Sequence, residues 1–297
     1  MRFSGSLPAL ITPFRQGNVD EECLSDLVSW HVTSGSKGVV VCGTTGEGST
    51  VTIEERRRIY EIAVRTAAKR IPVVAGIGSN DTKSAGTQFD LAADAGVDAI
   101  LHVTGYYNRP SQDQIIEHYK QLARTTALPV IVYNIPSRTG IDLSPATIAR
   151  LSQLGCVAGV KDSTASVARL SEEKLMIRKE FSFLSGDDAS CLGYMAHGGD
   201  GCIAVAANVA PKLFSEMIEA AQRGDYSGAR TLHEKLVPLH QVLYIEPNPG
   251  GIKYALSKLG LCRNELRAPL TTVSPDTQKR IDEAMGHLGP ELQRGMH

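Results

Sequence analysis

The sequence predicts an α/β fold: a TIM (β/α)8 barrel with a C-terminal helical extension. Three observations point to it. Eight short apolar runs begin near Leu7, Gly38, Pro72, Ala99, Pro129, Val157, Phe181 and Cys202, each bounded by Gly, Pro or polar residues. Runs such as Gly38-Val39-Val40-Val41 and Pro129-Val130-Ile131-Val132 are continuously apolar, as expected of parallel strands covered on both faces. Helix signals fill the gaps between the runs. Thr52-Ile53-Glu54-Glu55 and Ser111-Gln112-Asp113-Gln114 read as capping boxes, and Ser144-Pro145 as an N-cap with proline at the first helical position. Gly35 and Gly96 stand where helices should stop.

Eight strand–helix units suit a closed barrel better than an open doubly wound sheet, which uses about five or six strands. After Asp225 the strand signal ends. Tyr226 to Leu243, Gly251 to Leu259 and Pro275 to Leu288 read as helices packed beside the barrel. The expected division is a barrel over 1–225 and a helical domain over 226–297, with Glu291 to His297 as a frayed tail.

Composition narrows the function classes. The chain has 297 residues, enough to bury a substantial core, with 31 Lys plus Arg against 32 Asp plus Glu. Near-neutrality argues against nucleic acid as a partner, because phosphate binding needs a basic excess or stripe. The run Glu54-Glu55-Arg56-Arg57-Arg58 reads as a solvated helix face. No stretch approaches the ~20 apolar residues of a membrane span, and Met1-Arg2-Phe3-Ser4 lacks a secretory h-region, so a cytoplasmic location is expected. Cys23, Cys42, Cys156, Cys191, Cys202 and Cys262 form no CxxC pair, which indicates core thiols rather than a zinc site or disulfides. Asn80-Asp81-Thr82 matches a glycosylation pattern that has no meaning in the cytoplasm.

Barrel active sites lie at the C-terminal ends of the strands, so the residues following each run carry the chemistry. Gly43-Thr44-Thr45-Gly46-Glu47 follows the second run. Its hydroxyls and amides ahead of a helix could hold a carboxylate, or form a plain turn. It is not a P-loop, since Ser49 stands where the phosphate-binding lysine belongs. The fifth run ends in Tyr133-Asn134-Ile135-Pro136-Ser137-Arg138-Thr139-Gly140, and the sixth in Val160-Lys161-Asp162-Ser163. A lysine that continues an apolar strand should point into the barrel mouth, where desolvation favours the neutral, nucleophilic amine. Such an amine forms an imine with a carbonyl and acts as an electron sink; the alternative is a structural Lys161–Asp162 bridge. Tyr133, one strand away, could relay protons or be a core residue. Arg138 offers a planar fork to a carboxylate, or a surface ion pair. Tyr106-Tyr107-Asn108-Arg109-Pro110 follows the fourth run, and Ser185-Gly186-Asp187-Asp188 the seventh, where the paired acids could cap the next helix.

Together with Glu246-Pro247-Asn248-Pro249, these segments run in order along nearly the whole chain and resemble the dihydrodipicolinate synthase family. That family belongs to the pyruvate-dependent lyases that include N-acetylneuraminate lyase. The resemblance implies that pyruvate condenses with Lys161, that Tyr133 relays protons, and that Thr44 links it to Tyr107 from a neighbouring subunit. It further implies Thr45 for the pyruvate carboxylate, Gly186 and Ile203 as wall and backbone contacts, and Arg138 as the clamp for L-aspartate 4-semialdehyde. The implied product is 4-hydroxy-tetrahydrodipicolinate, on the route to lysine. A homotetramer with a dimer interface near Tyr107 is implied as well. No metal or bound cofactor is expected, since the lysine supplies the electron sink.

Arg138 argues against the sugar-acid lyases, which usually lack arginine in the matching segment. Gly105 departs from the proline often found before the double tyrosine. Where lysine-inhibited members line an effector pocket with polar groups, this chain has Gly48, Ile53, Arg56 and Ser84, with Asn80 and Tyr106 still suitable. Weak or absent lysine inhibition is therefore expected. Two other readings remain open at this point. One is a lyase or dehydratase acting on a sugar acid of N-acetylneuraminate or 2-keto-3-deoxy type; the other is a catalytically silent barrel with a binding role.

Overall fold

The computed structural model describes residues 2–293. β1 (Gly5–Pro8) is followed by a small hairpin, β2 (Phe14–Arg15) and β3 (Asn18–Val19), and then by α1 (Glu21–Thr33). The alternation continues through β4 (Val39–Val41), α2 (Ile53–Ala67), β5 (Val73–Gly78), α3 (Thr82–Asp94), β6 (Ala99–Val103) and α4 (Gln112–Leu122). β7 (Val130–Asn134) leads into a single turn, α5 (Pro136–Thr139), before α6 (Pro145–Ser152). β8 (Val157–Asp162), α7 (Val167–Met176), β9 (Ser182–Ser185), α8 (Cys191–Ala196), β10 (Gly201–Ala204) and α9 (Pro211–Gln222) complete the set. Three further helices follow: α10 (Tyr226–Val242), α11 (Gly250–Lys258) and α12 (Pro275–Leu288).

Eight strands pair in parallel in the order β1-β10-β9-β8-β7-β6-β5-β4. The ends of that sheet meet at a narrow seam, where Ala9 bridges Val40 and the Leu10 N–H donates to the Val40 carbonyl at 2.8 Å. The fold is thus the TIM barrel that the eight runs predict. Each run begins within two residues of its strand. Both capping boxes form, and Ser144 caps α6 with Pro145 in its first turn.

Strand alternation decides which side chains meet. Leu7, Val40, Val74, Leu101, Ile131, Tyr133, Leu184 and Ile203 point inward and form one cluster, while Val39, Val41, Val73, Ile100, Val130, Val132, Val160 and Phe183 pack outward under the helices. Burial on both faces is why these strands read as unbroken apolar runs. α10, α11 and α12 share a core with α9 and the end of the barrel, where Leu236, Ile252 and Ile281 cluster with Ile11, Cys202 and Ala204. Asp225 caps α10 by accepting from the Gly228 N–H at 2.9 Å.

Three local expectations need correction. The β2–β3 hairpin has no counterpart among the eight runs. Its turn places Gln16 and Gly17 at φ 54° and 79°, as a tight two-residue hairpin requires, and a non-glycine in that conformation leaves a weak signal. Only Cys42, Cys191 and Cys202 are fully buried; Cys23, Cys156 and Cys262 lie half-buried at the edges of the same clusters, and all six are free thiols. In place of a tail from Glu291, Gly289–Gln293 forms a 3-10 turn, with Glu291 paired to Lys235 at 2.8 Å; residues 294–297 lie outside the described residues.

Candidate active site

β7 and β8 pair so that Tyr133 lies beside Lys161, and Asn134 beside Asp162. Val160 faces the helices, so Lys161 faces the barrel interior. Its side chain is 5% exposed, and its Nζ sits 4.1 Å from the centre of the Tyr133 ring, on the aromatic face. Asp162, one residue on, points the other way. It accepts from Asn134 Nδ2 at 3.1 Å and Thr164 Oγ1 at 2.7 Å, and makes no ion pair with Lys161. The structural bridge therefore does not form, because strand neighbours leave a sheet on opposite faces.

Lys161 needs space that only glycine leaves. A Cβ on Gly186, at the end of β9, would stand 2.7 Å from Lys161 Cε. Behind it, Asp188 accepts from the Val205 and Ala206 amides at 3.1 and 2.6 Å, and burial pushes its carboxyl up to about 6. Asp187 accepts from the Ser190 amide at 2.8 Å, just ahead of α8, whereas Asp188 holds backbone 17 residues on, so the pair does not act as the helix cap that the sequence offers.

A cavity of about 330 Å³ opens above Lys161. Ala9 and Val40 line its seam side, Thr44 and Thr45 one wall, Tyr133 and Gly186 another, with Arg138, Tyr244 and Asn248 also on the wall. The Thr-Thr turn closes on itself: the Glu47 and Gly48 amides donate to the Thr44 and Gly43 carbonyls, both at 3.1 Å. α2 begins only at Ile53, so its N-terminus does not supply the turn's anion site, and the hydroxyls remain as donors. Arg138 is exposed and makes no ion pair among the described residues. Its fork is free for a carboxylate.

Two sequence-predicted residues lie apart from this cavity. Ile203 is fully buried one layer deeper, with Leu7 and Leu184, and it is Val205 that reaches the wall. Tyr107 is 94% exposed at φ 71° and does not line its own chain's cavity. Asn248 and Glu47 stand in the segments that carry the resemblance, without a role assigned to either. Asn248 Nδ2 donates to Thr45 Oγ1 at 3.0 Å, and Glu47 forms a fully buried ion pair with Lys253 of α11 at 2.5 Å. Glu47 also accepts from the Arg267 amide at 3.0 Å, and Lys253 Nζ lies 4.1 Å from the centre of the Phe14 ring. Burial lowers the Lys253 ammonium, and the Glu47 charge opposes that shift. Lone polar residues between prolines, or in a helix far along the chain, carry no local sign of such contacts.

A second cavity, about 350 Å³, shares Gly43, Thr44, Tyr133, Arg138 and Asn248 with the first and extends to Gly48, Arg56 and Tyr106. Arg56 departs from the expected solvated face. It is buried and donates to the carbonyls of Gly48 at 2.5 Å and Gly76 at 3.0 Å, tying the Thr-Thr turn to β5.

A lysine amine, a tyrosine, two threonines and an arginine line one space at the strand ends, a set that can attack a carbonyl and hold a carboxylate. The model of the dihydrodipicolinate synthetase family matches residues 2–288. The chain belongs to that family. A 4-hydroxy-tetrahydrodipicolinate synthase of Chelativorans sp. (strain BNC1) is 48% identical over 289 residues, 97% of this chain and 99% of the relative. Dihydrodipicolinate synthase from Aquifex aeolicus matches at a TM-score of 0.94 and 42% identity, covering 98% of this chain and 100% of that one. The Acinetobacter baumannii dihydrodipicolinate synthase, solved in complex with pyruvate, matches at 0.94 and 40%, covering 96% of this chain and 99% of that one. Family membership makes the chain an enzyme of the lyase class and favours the synthase over the sugar-acid lyase and the silent barrel.

Proposed function

We propose that this chain is a 4-hydroxy-tetrahydrodipicolinate synthase that condenses pyruvate with L-aspartate 4-semialdehyde through an imine on Lys161. The observation that carries this reading is the buried Lys161 amine against Tyr133, beneath a cavity with free carboxylate donors. The amine adds to the pyruvate ketone, water leaves, and the imine draws electrons so that the methyl carbon loses a proton. The resulting enamine attacks the aldehyde carbon of the second substrate. The acceptor's own amine then closes the ring and displaces Lys161.

Thr45 holds the pyruvate carboxylate, Gly186 gives the imine room, and Arg138 clamps the second carboxylate. Tyr133 relays protons, with Thr44 and a neighbouring subunit's copy of Tyr107 continuing the path to solvent. The bare Tyr107 ring supports a homotetrameric assembly in which this residue crosses an interface. The chemistry calls for no cofactor, because the imine is itself the electron sink. No described helix is long and apolar enough to cross a membrane, and a cytoplasmic location is part of the same reading.

Borohydride reduction in the presence of pyruvate, followed by intact mass, tests the mechanism. One pyruvate-derived adduct per chain is expected, absent from Lys161→Ala; an adduct that survives the substitution would sink the imine. Side-by-side assays of semialdehyde condensation and sugar-acid cleavage test the acceptor. Lysine is expected to inhibit weakly or not at all, since Arg56 is committed to two carbonyls and Ile53 is apolar. Half-inhibition at micromolar lysine would contradict that.

A further inference from the structure

Thr45 is buried on the cavity wall, and its oxygen accepts from Asn248 Nδ2 at 3.0 Å. A hydroxyl has one proton and two lone pairs. With a lone pair held by the amide, and no acceptor for the proton among the described residues, the O–H is left to face the cavity. Asn248 Oδ1 is buried too and has no partner among the described residues. We propose that Asn248 is a positioning residue for the pyruvate carboxylate: its carboxamide occupies the acceptor side of the Thr45 hydroxyl and aims that proton at the bound acid. The proposal rests on the reading that pyruvate lies against Thr45.

The opposite carboxamide orientation would place Oδ1 against Thr45, take up the hydroxyl proton and leave a buried amide donor unpaired. A carboxylate in the cavity can only accept, so it stabilises the orientation that presents the Thr45 proton. The carboxamide is also well held. Asn248 comes from the C-terminal segment, 203 residues from Thr45 in sequence, and the Glu47–Lys253 pair at 2.5 Å joins the same two stretches a few residues farther on.

The test is steady-state kinetics, with borohydride trapping at graded pyruvate, on Asn248→Ala, Asn248→Asp, Thr45→Val and the Thr45→Val/Asn248→Ala pair. Asn248→Ala is expected to raise the KM for pyruvate about tenfold, the scale of one hydrogen bond to a charged group, with kcat and the semialdehyde KM within about twofold. Asn248→Asp keeps the shape but can only accept, and it sets a carboxylate near a carboxylate; about a hundredfold is expected. On the Thr45→Val background, Asn248→Ala should add less than about twofold, because coupled residues are not additive. If Asn248 only fills space, Asp is milder than Ala and the single effects multiply; either result overturns the proposal. Failure of wild type to form an adduct that Lys161→Ala abolishes would overturn the site reading, and the role of Asn248 with it.

Discussion

The two faces of β7 and β8 carry opposite kinds of polar chemistry. Inward, Tyr133 and Lys161 lie side by side with no hydrogen bond to another described side chain, the amine resting on the ring face. Outward, one residue on, Asn134 donates to Asp142 at 2.9 Å and to Asp162 at 3.1 Å, and accepts from the Leu143 amide at 3.1 Å. Arg169 of α7 grips Asp142 with two bonds of 2.8 and 3.0 Å, reaches the Leu143 carbonyl, and bonds Glu173 at 3.2 Å. The outer groups are spent on one another, and they fix the strands. The inner groups are left unspent, and a substrate can use them. A buried polar group without a partner costs stability, so it persists where function requires it.

That contrast can be broken in order of effect. Lys161→Met should remove all detectable condensation while leaving unfolding free energy within about 1 kcal/mol of wild type, since an apolar side chain replaces a buried amine lacking an ion partner. A large loss of stability in urea unfolding would show that Lys161 also holds the fold. Arg169→Met should do the reverse, costing about 3 kcal/mol by removing the donor that Asp142, Glu173 and the Leu143 carbonyl share, with kcat of the folded fraction altered little. Retained stability with lost activity would move Arg169 to the inner group.

The smallest effect concerns pH. Burial raises the Glu173 carboxyl to about 7 against an ordinary 4.5, with the Arg169 charge opposing. Between those values the folded chain keeps a proton that the unfolded chain has lost, so this contribution is complete below about 4.5 and fades as pH rises through 7. Glu173→Gln should flatten that decline, gaining stability relative to wild type at pH 8 compared with pH 5. An unchanged slope in thermal unfolding across that range would exclude Glu173 as its source.

The barrel was legible because its strands are buried on both faces, which turns each into an unbroken apolar run that turn residues can only bracket. Lys161 and Tyr133 were legible as strand ends for the same reason. Adjacency in sequence was the misleading cue: Lys161 and Asp162 looked like a bridge, while the pleat separates them. Arg56 looked solvated in a charged run, although its position on α2 carries it under the barrel rim to two carbonyls. Asn248 and Lys253 were invisible as partners of the Thr-Thr turn, because a contact between stretches some 200 residues apart leaves no local pattern.

That separation also has a meaning in time. The Thr44–Glu47 turn is translated some 200 residues before Asn248, Lys253 and Arg267. At about 5–20 residues per second, the gap between Thr45 and Asn248 takes roughly 10 to 40 s to translate. Late in that interval a nascent chain already holds Tyr133 and Lys161, yet its Thr45 hydroxyl and Glu47 carboxylate still wait for these partners. The Lys161 amine and the Thr45 hydroxyl meet in their final setting only once the stretch around Asn248 has been made.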